Sequence, residues 1–327
     1  MKFNTLGGTG LKVSKIGFGA GHLDRAFLNG SDKEVNHFLN GLLDLGINFI
    51  DTAGCYGPSE ELIGRHLANK LNSFVVSSKT GHGQPGVTDW TGEAVTKGIE
   101  SSLRRLNVES IDIMHLHSCD LEVLKRGEVI EAMLENKKVG KVKFIAYSGQ
   151  NEALEFAITS RQFDVIQTSD NLIDQHSKLN FIKNAKALNL GIIGKRPLAN
   201  FIWKYNSEPE SFDLKTYWNR LKQVQHMLEP SIAFESMIYK YLQRSDWVDT
   251  YIIGTSSYKN LIYNLEKLEE IGNSNLNTSL NVNASESSCG ETFKNLTCDH
   301  IDELGLVTEK LLKIEGLAGS PYWQGII

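Results

Sequence analysis

The sequence predicts an α/β chain folded as a (β/α)8 TIM barrel, and three observations carry that prediction. Short apolar runs at residues 47–51, 74–79 and 111–117 are each followed by turn residues and an amphipathic stretch, the rhythm of a parallel sheet with helical crossovers. These runs end in Asp51, Lys79 and His117, and reactive side chains at the carboxyl ends of successive strands are what such a barrel uses. The length of 327 residues is large for one core, yet barrels of this kind span about 200 to over 400 residues as one domain.

The opening TLGGTGLKVS reads as two extended pieces around a glycine turn, an N-terminal β-hairpin placed to close the barrel floor. Strand one is expected over residues 15–21. The first helix is marked by Ser31 and Glu34 at capping-box spacing, by Val35, Phe38, Leu39 and Leu42 on one stripe, and by Gly46 as a stop. The unit repeats as strand 48–51 with helix 59–71, strand 74–79 with helix 91–106, and strand 111–117 with helix 121–138. Strand 142–148 leads to a helix opening at Asn151, strand 165–171 to helix 177–189, and strand 191–195 to a long stretch at 197–250. Its aromatics Phe201, Trp203, Tyr205, Tyr217 and Trp218 suggest a loop and helix elaboration over the active-site face, although each taken singly serves equally to pack an extra helix. Strand 250–254 is the eighth, and its helix runs through Leu261, Leu265 and Leu268.

Residues 273–288 are rich in Asn and Ser, with too little apolar surface to offset the entropy of ordering. Residues 273–298 are therefore expected as a flexible insert within one domain spanning 1–327. A helix at 299–314 and the tail 321–327 form a C-terminal helical extension.

A net charge of −5 offers no general attraction for nucleic acid or anionic lipid. The first residues lack a signal-peptide core and no segment reaches about 18 uninterrupted apolar residues, so a cytoplasmic protein with no membrane partner is expected. Cys55, Cys119, Cys289 and Cys298 lack C-x-x-C spacing and read as free thiols. Cys289, Cys298 and His300 want a fourth ligand, and no metal is expected. No heptad or repeat marks a partner surface, which leaves the oligomeric state open.

Alternation along a strand puts Ile47, Phe49 and Asp51 on one face, likewise Val75, Ser77 and Lys79, and likewise Ile113, His115 and His117. Asp51, Lys79 and His117 then point inward at the barrel mouth, where Tyr56 arrives from the loop after Asp51. A phenol with a pKa near 10 is a poor acid at neutral pH, and an adjacent ammonium stabilises its phenolate. Lys79 supplies that field, Asp51 keeps Lys79 charged and placed, and His117 orients a carbonyl oxygen or joins the proton path. Each residue alone has a structural reading; the four together at successive strand ends carry the functional one. A thiolate formed beside Lys79 would make Cys55 or Cys119 oxidant-sensitive.

The segments DTAGCYGPSEELIG (51–64), SSKTG (77–81), LHSCD (116–120) and LGGTGLKVSKIGFG (6–19) together resemble the aldo-keto reductase superfamily, over most of residues 1–270. The resemblance implies an NAD(P)H-dependent oxidoreductase interconverting an aldehyde or ketone and an alcohol. Its tetrad would be Asp51, Tyr56, Lys79 and His117, with Tyr56 as general acid/base and His115 as the alternative to His117. It implies that Ser148 and Gln167 hold the nicotinamide carboxamide, while Gly149 stands where many relatives carry Asn. Lys195, Arg196, Pro197 and Leu198 match a region where an aromatic often stacks on the ring; here Lys195 takes that place, and Lys195 and Arg196 are candidates for the pyrophosphate.

Gly254, Thr255, Ser256, Lys259, Asn260 and Asn264 resemble the loop and helix start that bind the adenosine 2′-phosphate. Ser256 and Asn260 occupy positions where relatives often carry a basic residue, and Lys259 is the nearby cation. NADP(H) is favoured and NAD(H) is the competitor. Substrate selection is expected from loops at 22–27, 81–90 and 201–217 and from the tail, with His22, Trp90 and Trp323 as candidates. Two further readings stand beside this one: a cofactor-binding regulatory subunit with little turnover, and an NAD-dependent sugar or alcohol dehydrogenase.

Overall fold

Eight parallel strands close into a barrel in the order β10-β3-β4-β5-β6-β7-β8-β9. They are β3 (Ile16–Gly19), β4 (Phe49–Asp51), β5 (Val75–Thr80), β6 (Ile111–His117), β7 (Val142–Ser148), β8 (Val165–Ser169), β9 (Gly191–Lys195) and β10 (Thr250–Gly254). The computed structural model describes residues 1–21, 23, 31–225 and 233–280. His22, residues 24–27 of the first loop, the rest of the insert beyond residue 280, Cys289, Cys298, His300, the 299–314 helix and the tail with Trp323 lie outside the described residues.

The expected hairpin is present: β1 (Phe3–Thr5) and β2 (Lys12–Ser14) pair antiparallel. Its fully buried Leu6 and Val13 join Phe49, Val75, Ile113, Ala146, Val165 and Ile193 in one apolar cluster, the plug at the amino end of the barrel. Gly191 lets Leu6 in, since a Cβ there would lie 2.7 Å from Leu6 Cγ. The register aligns the polar residues of the other end: Asp51 faces Ser77, Lys79 faces His115, His117 faces Ser148, and Ser148 faces Gln167.

The crossover helices follow their apolar stripes. α1 (Asp32–Asp44) buries Val35, Phe38, Leu39 and Leu42, opens with the Ser31 N–H donating to Glu34 Oε2 at 2.8 Å, and stops at Gly46, φ +80°. α2 (Ser59–Leu67) is shorter than expected and passes into a 3-10 turn over Ala68–Ser73. α3 (Gly92–Leu106) is capped by Thr91, whose Oγ1 accepts from the Ala94 N–H. The single helix expected over 121–138 is two, α4 (Leu121–Arg126) and α5 (Glu128–Lys138), because Gly127 takes φ +82° and breaks the ladder. α6 (Asn151–Thr159) opens where expected. The 177–189 helix is reduced to a π turn at Lys178–Ile182 and α7 (Lys183–Ala187), and β8 ends at Ser169 rather than 171.

Contacts divide the chain into two compact units. The first, Met1–Asp170, Ser177–Arg196 and Asp246–Asn260, contains the hairpin and the barrel. The second consists of Asn171–His176, Pro197–Ser245 and Leu261–Ile327. Within it, α8 (Phe212–Gln225) buries Tyr217, Trp218 and Leu221, and α9 (Phe234–Arg244) buries Met237, Ile238 and Leu242. Tyr217 Oη donates to Asp174 Oδ2 at 2.9 Å, and Trp203 sits between Phe201 and Phe234 at centroid distances of 5.3 and 6.0 Å. These aromatics therefore pack the unit's own core, while Tyr205 is exposed.

The helix after β10, α10 (Tyr258–Leu280), runs on through residues 273–280, which the composition marked as flexible. Once a helix is nucleated, each added residue gains a backbone hydrogen bond, so a polar stretch extends one it would not start. Among the described residues no helix is long and apolar enough to cross a membrane.

Candidate active site

Asp51 ends β4 and Lys79 lies one residue from the end of β5, and both side chains are almost wholly buried, at 3% and 2% exposure. Lys79 Nζ donates to Asp51 Oδ2 at 2.5 Å and to the Thr52 carbonyl at 2.7 Å. Asp51 Oδ1 accepts from Ser77 Oγ at 2.9 Å and from Gln167 Nε2 at 2.8 Å. The buried ion pair is thus compensated on both sides, the carboxylate by two neutral donors and the ammonium by a carbonyl acceptor, as a charge pair out of water requires.

Tyr56 reaches this pair from the loop after β4. That loop extends the strand ladder, with Thr52 N–H donating to the Ser77 carbonyl at 2.8 Å and Gly54 N–H to the Lys79 carbonyl at 3.4 Å, and it turns at Gly57, φ +54°. Lys79 Nζ ends 5.0 Å from the Tyr56 ring centroid, and the ring meets His117 edge-on at 5.8 Å and 79°. The expected tetrad is brought together. His115 sits one layer deeper, fully buried, with Nε2 2.9 Å from Ser77 Oγ.

The electrostatics depart from one expectation. Burial raises the Tyr56 phenol above its ordinary value, and the opposing field of Lys79 is smaller, helped by Asp51 pushing the same way as burial. The ammonium is shared with the carboxylate, so the depression expected from Lys79 alone is not reached. Burial alone would lower Lys79, but the Asp51 carboxylate and Tyr56 outweigh it and hold the ammonium above the usual lysine range. Burial and then the Lys79 charge hold His117 well below the usual histidine range, so its imidazole is neutral at pH 7. Burial also raises both cysteines, Cys55 against a partial offset from Lys79 and Cys119 to about 12, so both are thiols rather than thiolates.

His82, unassigned from the sequence, belongs to this site. Its ring lies 5.2 Å from that of His117 and 5.3 Å from Trp90, with Nε2 3.2 Å from His117 Nδ1, and Cys55 Sγ approaches the same Nδ1 at 3.5 Å. Trp90, with φ +61°, folds over Gly81, where a Cβ would lie 2.4 Å from the indole. The signal in the sequence was a second histidine three residues after Lys79.

Ser148 and Gln167 continue the polar layer, Ser148 Oγ donating to Gln167 Oε1 at 2.8 Å. Lys195 is buried at the end of β9 with Nζ 3.3 Å from Ser148 Oγ, and Arg196 Nη1 donates to Ser169 Oγ at 2.8 Å. Gly149 has no space for the Asn that the resemblance led us to expect there, since a Cβ would lie 2.3 Å from Tyr147 Oη. The next residue offers an amide instead: Gln150 Nε2 donates to Ser169 Oγ at 2.8 Å, and its buried Oε1 has no partner. That orphaned oxygen is the acceptor a carboxamide N–H needs, and nothing in the sequence pattern singled it out.

Gly254, Thr255, Ser256, Lys259 and Asn260 lie together where β10 passes into α10, with Ser257 Oγ accepting from the Asn260 N–H at 3.3 Å and the Lys259 side chain exposed. Pro197, Leu198 and Asn264 belong to the second unit, where Asn264 Oδ1 accepts from Tyr239 Oη at 2.7 Å.

Comparison with known proteins agrees with this fold. The model of the Aldo/keto reductase family matches residues 15–275. L-galactose dehydrogenase of Arabidopsis thaliana is 27% identical over 83% of this chain and 89% of its own length. A protein named "Probable voltage-gated potassium channel subunit beta", also of Arabidopsis thaliana, is 35% identical over 37% of this chain and 38% of its own. The fold matches that of an aldo-keto reductase of Bacillus halodurans solved in its holo form, with a TM-score of 0.72 and 21% identity, covering 97% of this chain and 99% of that one.

Proposed function

This chain belongs to the aldo/keto reductase family and is an oxidoreductase acting on carbonyl and alcohol groups, and on that premise we propose that Tyr56 is its general acid and base and NADP(H), in preference to NAD(H), its cofactor. The family uses nicotinamide cofactors, and the bound dinucleotide would supply or accept the hydride at the substrate carbon. Ser148, Gln167 and Gln150 would hold its carboxamide, Lys195 and Arg196 its pyrophosphate, and the 254–260 loop with Lys259, together with Asn264, its adenosine end.

The observation that carries the reading is the Asp51–Lys79 ion pair under the Tyr56 ring, with Lys79 Nζ bonded to Asp51 at 2.5 Å and 5.0 Å from the ring centroid. Tyr56 gives its proton to the developing alkoxide, and the resulting phenolate faces a fixed ammonium, so the charge moves into a field already set. Asp51 holds Lys79 in place. Neutral His117 donates an N–H to the carbonyl oxygen without carrying a charge of its own, which orients the carbonyl toward Tyr56. Trp90 and His82 form the wall of the mouth beside His117, and His22 and Trp323 complete the expected substrate set. We place the protein in the cytoplasm.

The test is Tyr56→Phe, assayed for turnover and for NADPH and NADH binding by fluorescence. Loss of turnover with binding retained supports the assignment; unchanged turnover removes it. A second reading, oxidation of a sugar alcohol group with NAD(H), is favoured by the likeness to L-galactose dehydrogenase along nearly its whole length and by the single cation, Lys259, in residues 254–260. A regulatory subunit with little turnover draws on the shorter likeness to the channel subunit, and a wild-type protein that binds cofactor without turnover would favour it.

A further inference from the structure

We propose that Cys55, His82 and His117 form a three-ligand site for a borderline-soft divalent cation of the Zn2+ class at the mouth of the catalytic cluster. Cys55 Sγ, His82 Nε2 and His117 Nδ1 all lie within 4.8 Å of one another. Tetrahedral Zn2+ with bonds of about 2.05 Å to nitrogen and about 2.3 Å to sulfur sets its ligand atoms about 3.3 Å apart for N···N and about 3.6 Å for N···S. The observed separations are 3.2 Å between His82 Nε2 and His117 Nδ1 and 3.5 Å between Cys55 Sγ and His117 Nδ1. Two of the three ligand edges of a coordination tetrahedron thus already have their bonded length, and the third, Cys55 Sγ to His82 Nε2, is within 4.8 Å.

Protons alone serve this arrangement poorly. A neutral imidazole nitrogen has either one lone pair or one N–H, so His117 Nδ1 cannot make two full hydrogen bonds, to the thiol and to His82. One cation serves all three. On binding, Cys55 loses its S–H proton to solvent and the ion takes the thiolate and two imidazole lone pairs, leaving a fourth position open as in catalytic rather than structural zinc sites. The ligands come from two successive βα loops and one strand end, a juxtaposition that no spacing in the sequence displays. The expectation of no metal considered only Cys289, Cys298 and His300.

The ion would stand beside Tyr56, whose ring is 5.8 Å from that of His117. It would close the approach to His117 and so inhibit turnover, a consequence that rests on the reductase reading, whereas the binding itself does not. The experiment is titration of the reduced protein with Co2+, read by the thiolate-to-cobalt absorption band, followed by displacement with Zn2+. One ion per chain is expected, with the band lost in Cys55→Ala and affinity weakened at least about tenfold in His82→Ala. A Cys289→Ala/Cys298→Ala variant should bind as wild type does, and thermal melting of every variant checks the fold. No thiolate band in folded wild type, or a band surviving Cys55→Ala, overturns the site. Zn2+ binding that leaves turnover unchanged overturns the placement of the ion on His117. If no turnover is found before metal is added, the reductase reading fails, and the cobalt band still decides the site.

Discussion

Gln167 donates its side-chain N–H to Asp51 Oδ1 at 2.8 Å, from β8 to β4 across the barrel interior. A residue matched to the cofactor and a residue matched to catalysis are therefore one hydrogen-bonded unit. Ser77 at 2.9 Å and Lys79 at 2.5 Å, both on β5, complete the donors on the carboxylate, so Asp51 is held from two other strands, β5 and β8. Its position is a product of the closed barrel.

Removing one half of the buried pair strands the other. Lys79→Met should cost about 3–5 kcal/mol of stability and abolish measurable turnover, while Asp51→Asn/Lys79→Met together should recover most of the stability and none of the activity. Urea unfolding and initial rates on the same preparations check both. A double variant as unstable as the single one would mean the pair is not the source of the loss.

Tyr56→Phe keeps the ring against Lys79 and His117 and removes only the hydroxyl. Turnover should fall by about 10²–10⁴-fold, the usual worth of a positioned general acid, with cofactor affinity within about threefold of wild type. Single-turnover rates with NADPH would show it.

If Tyr56 is the general acid and base, its raised phenol should set the pH profile. Carbonyl reduction needs the protonated form, so its rate should stay level through neutral pH and fall only as pH rises through that elevated value. Alcohol oxidation needs the phenolate and should rise with pH over the same window. Because His117 is held neutral, neither profile should break at the ordinary histidine pKa of about 6.5. Lys79, raised in the folded state, stabilises the fold fully below lysine's ordinary pKa, and that contribution is lost as pH climbs through the raised value. A sharp loss of reduction between pH 6 and 7 would contradict the neutral His117.

Lys259 is exposed at the start of α10. If the 2′-phosphate binds there, Lys259→Ala should weaken NADPH by up to about fivefold, the worth of an exposed charge pair, and leave NADH unchanged. Equal weakening of both would place the adenosine end elsewhere.

Gly149→Asn adds an amide at the end of β7 but drives a side chain into Tyr147 Oη, 2.3 Å from the new Cβ. It should destabilise the protein by about 1–3 kcal/mol, seen as a lower Tm, and bring no gain in cofactor affinity.

The barrel, its hairpin and the convergence of Asp51, Tyr56, Lys79 and His117 were legible in the sequence because they rest on local rules. Period-2 alternation put Asp51, Lys79 and His117 on inward faces, and capping and stop residues bounded α1 and α3 within a residue or two. The same rules ran out where long-range packing decides. Gly127 breaks a helix whose apolar stripe continues through it, and α10 extends into a polar stretch that composition alone marks as loop. Charge balance was equally hidden: the sequence shows a lysine near a tyrosine, but only the folded site shows that Asp51 shares the ammonium while burial raises the phenol. His82 and Cys55 come beside His117 through strand closure, which brings loop atoms from distant positions within a few ångströms. Sequence spacing reports neighbours along one element; bond-length geometry between elements exists only once the barrel has closed.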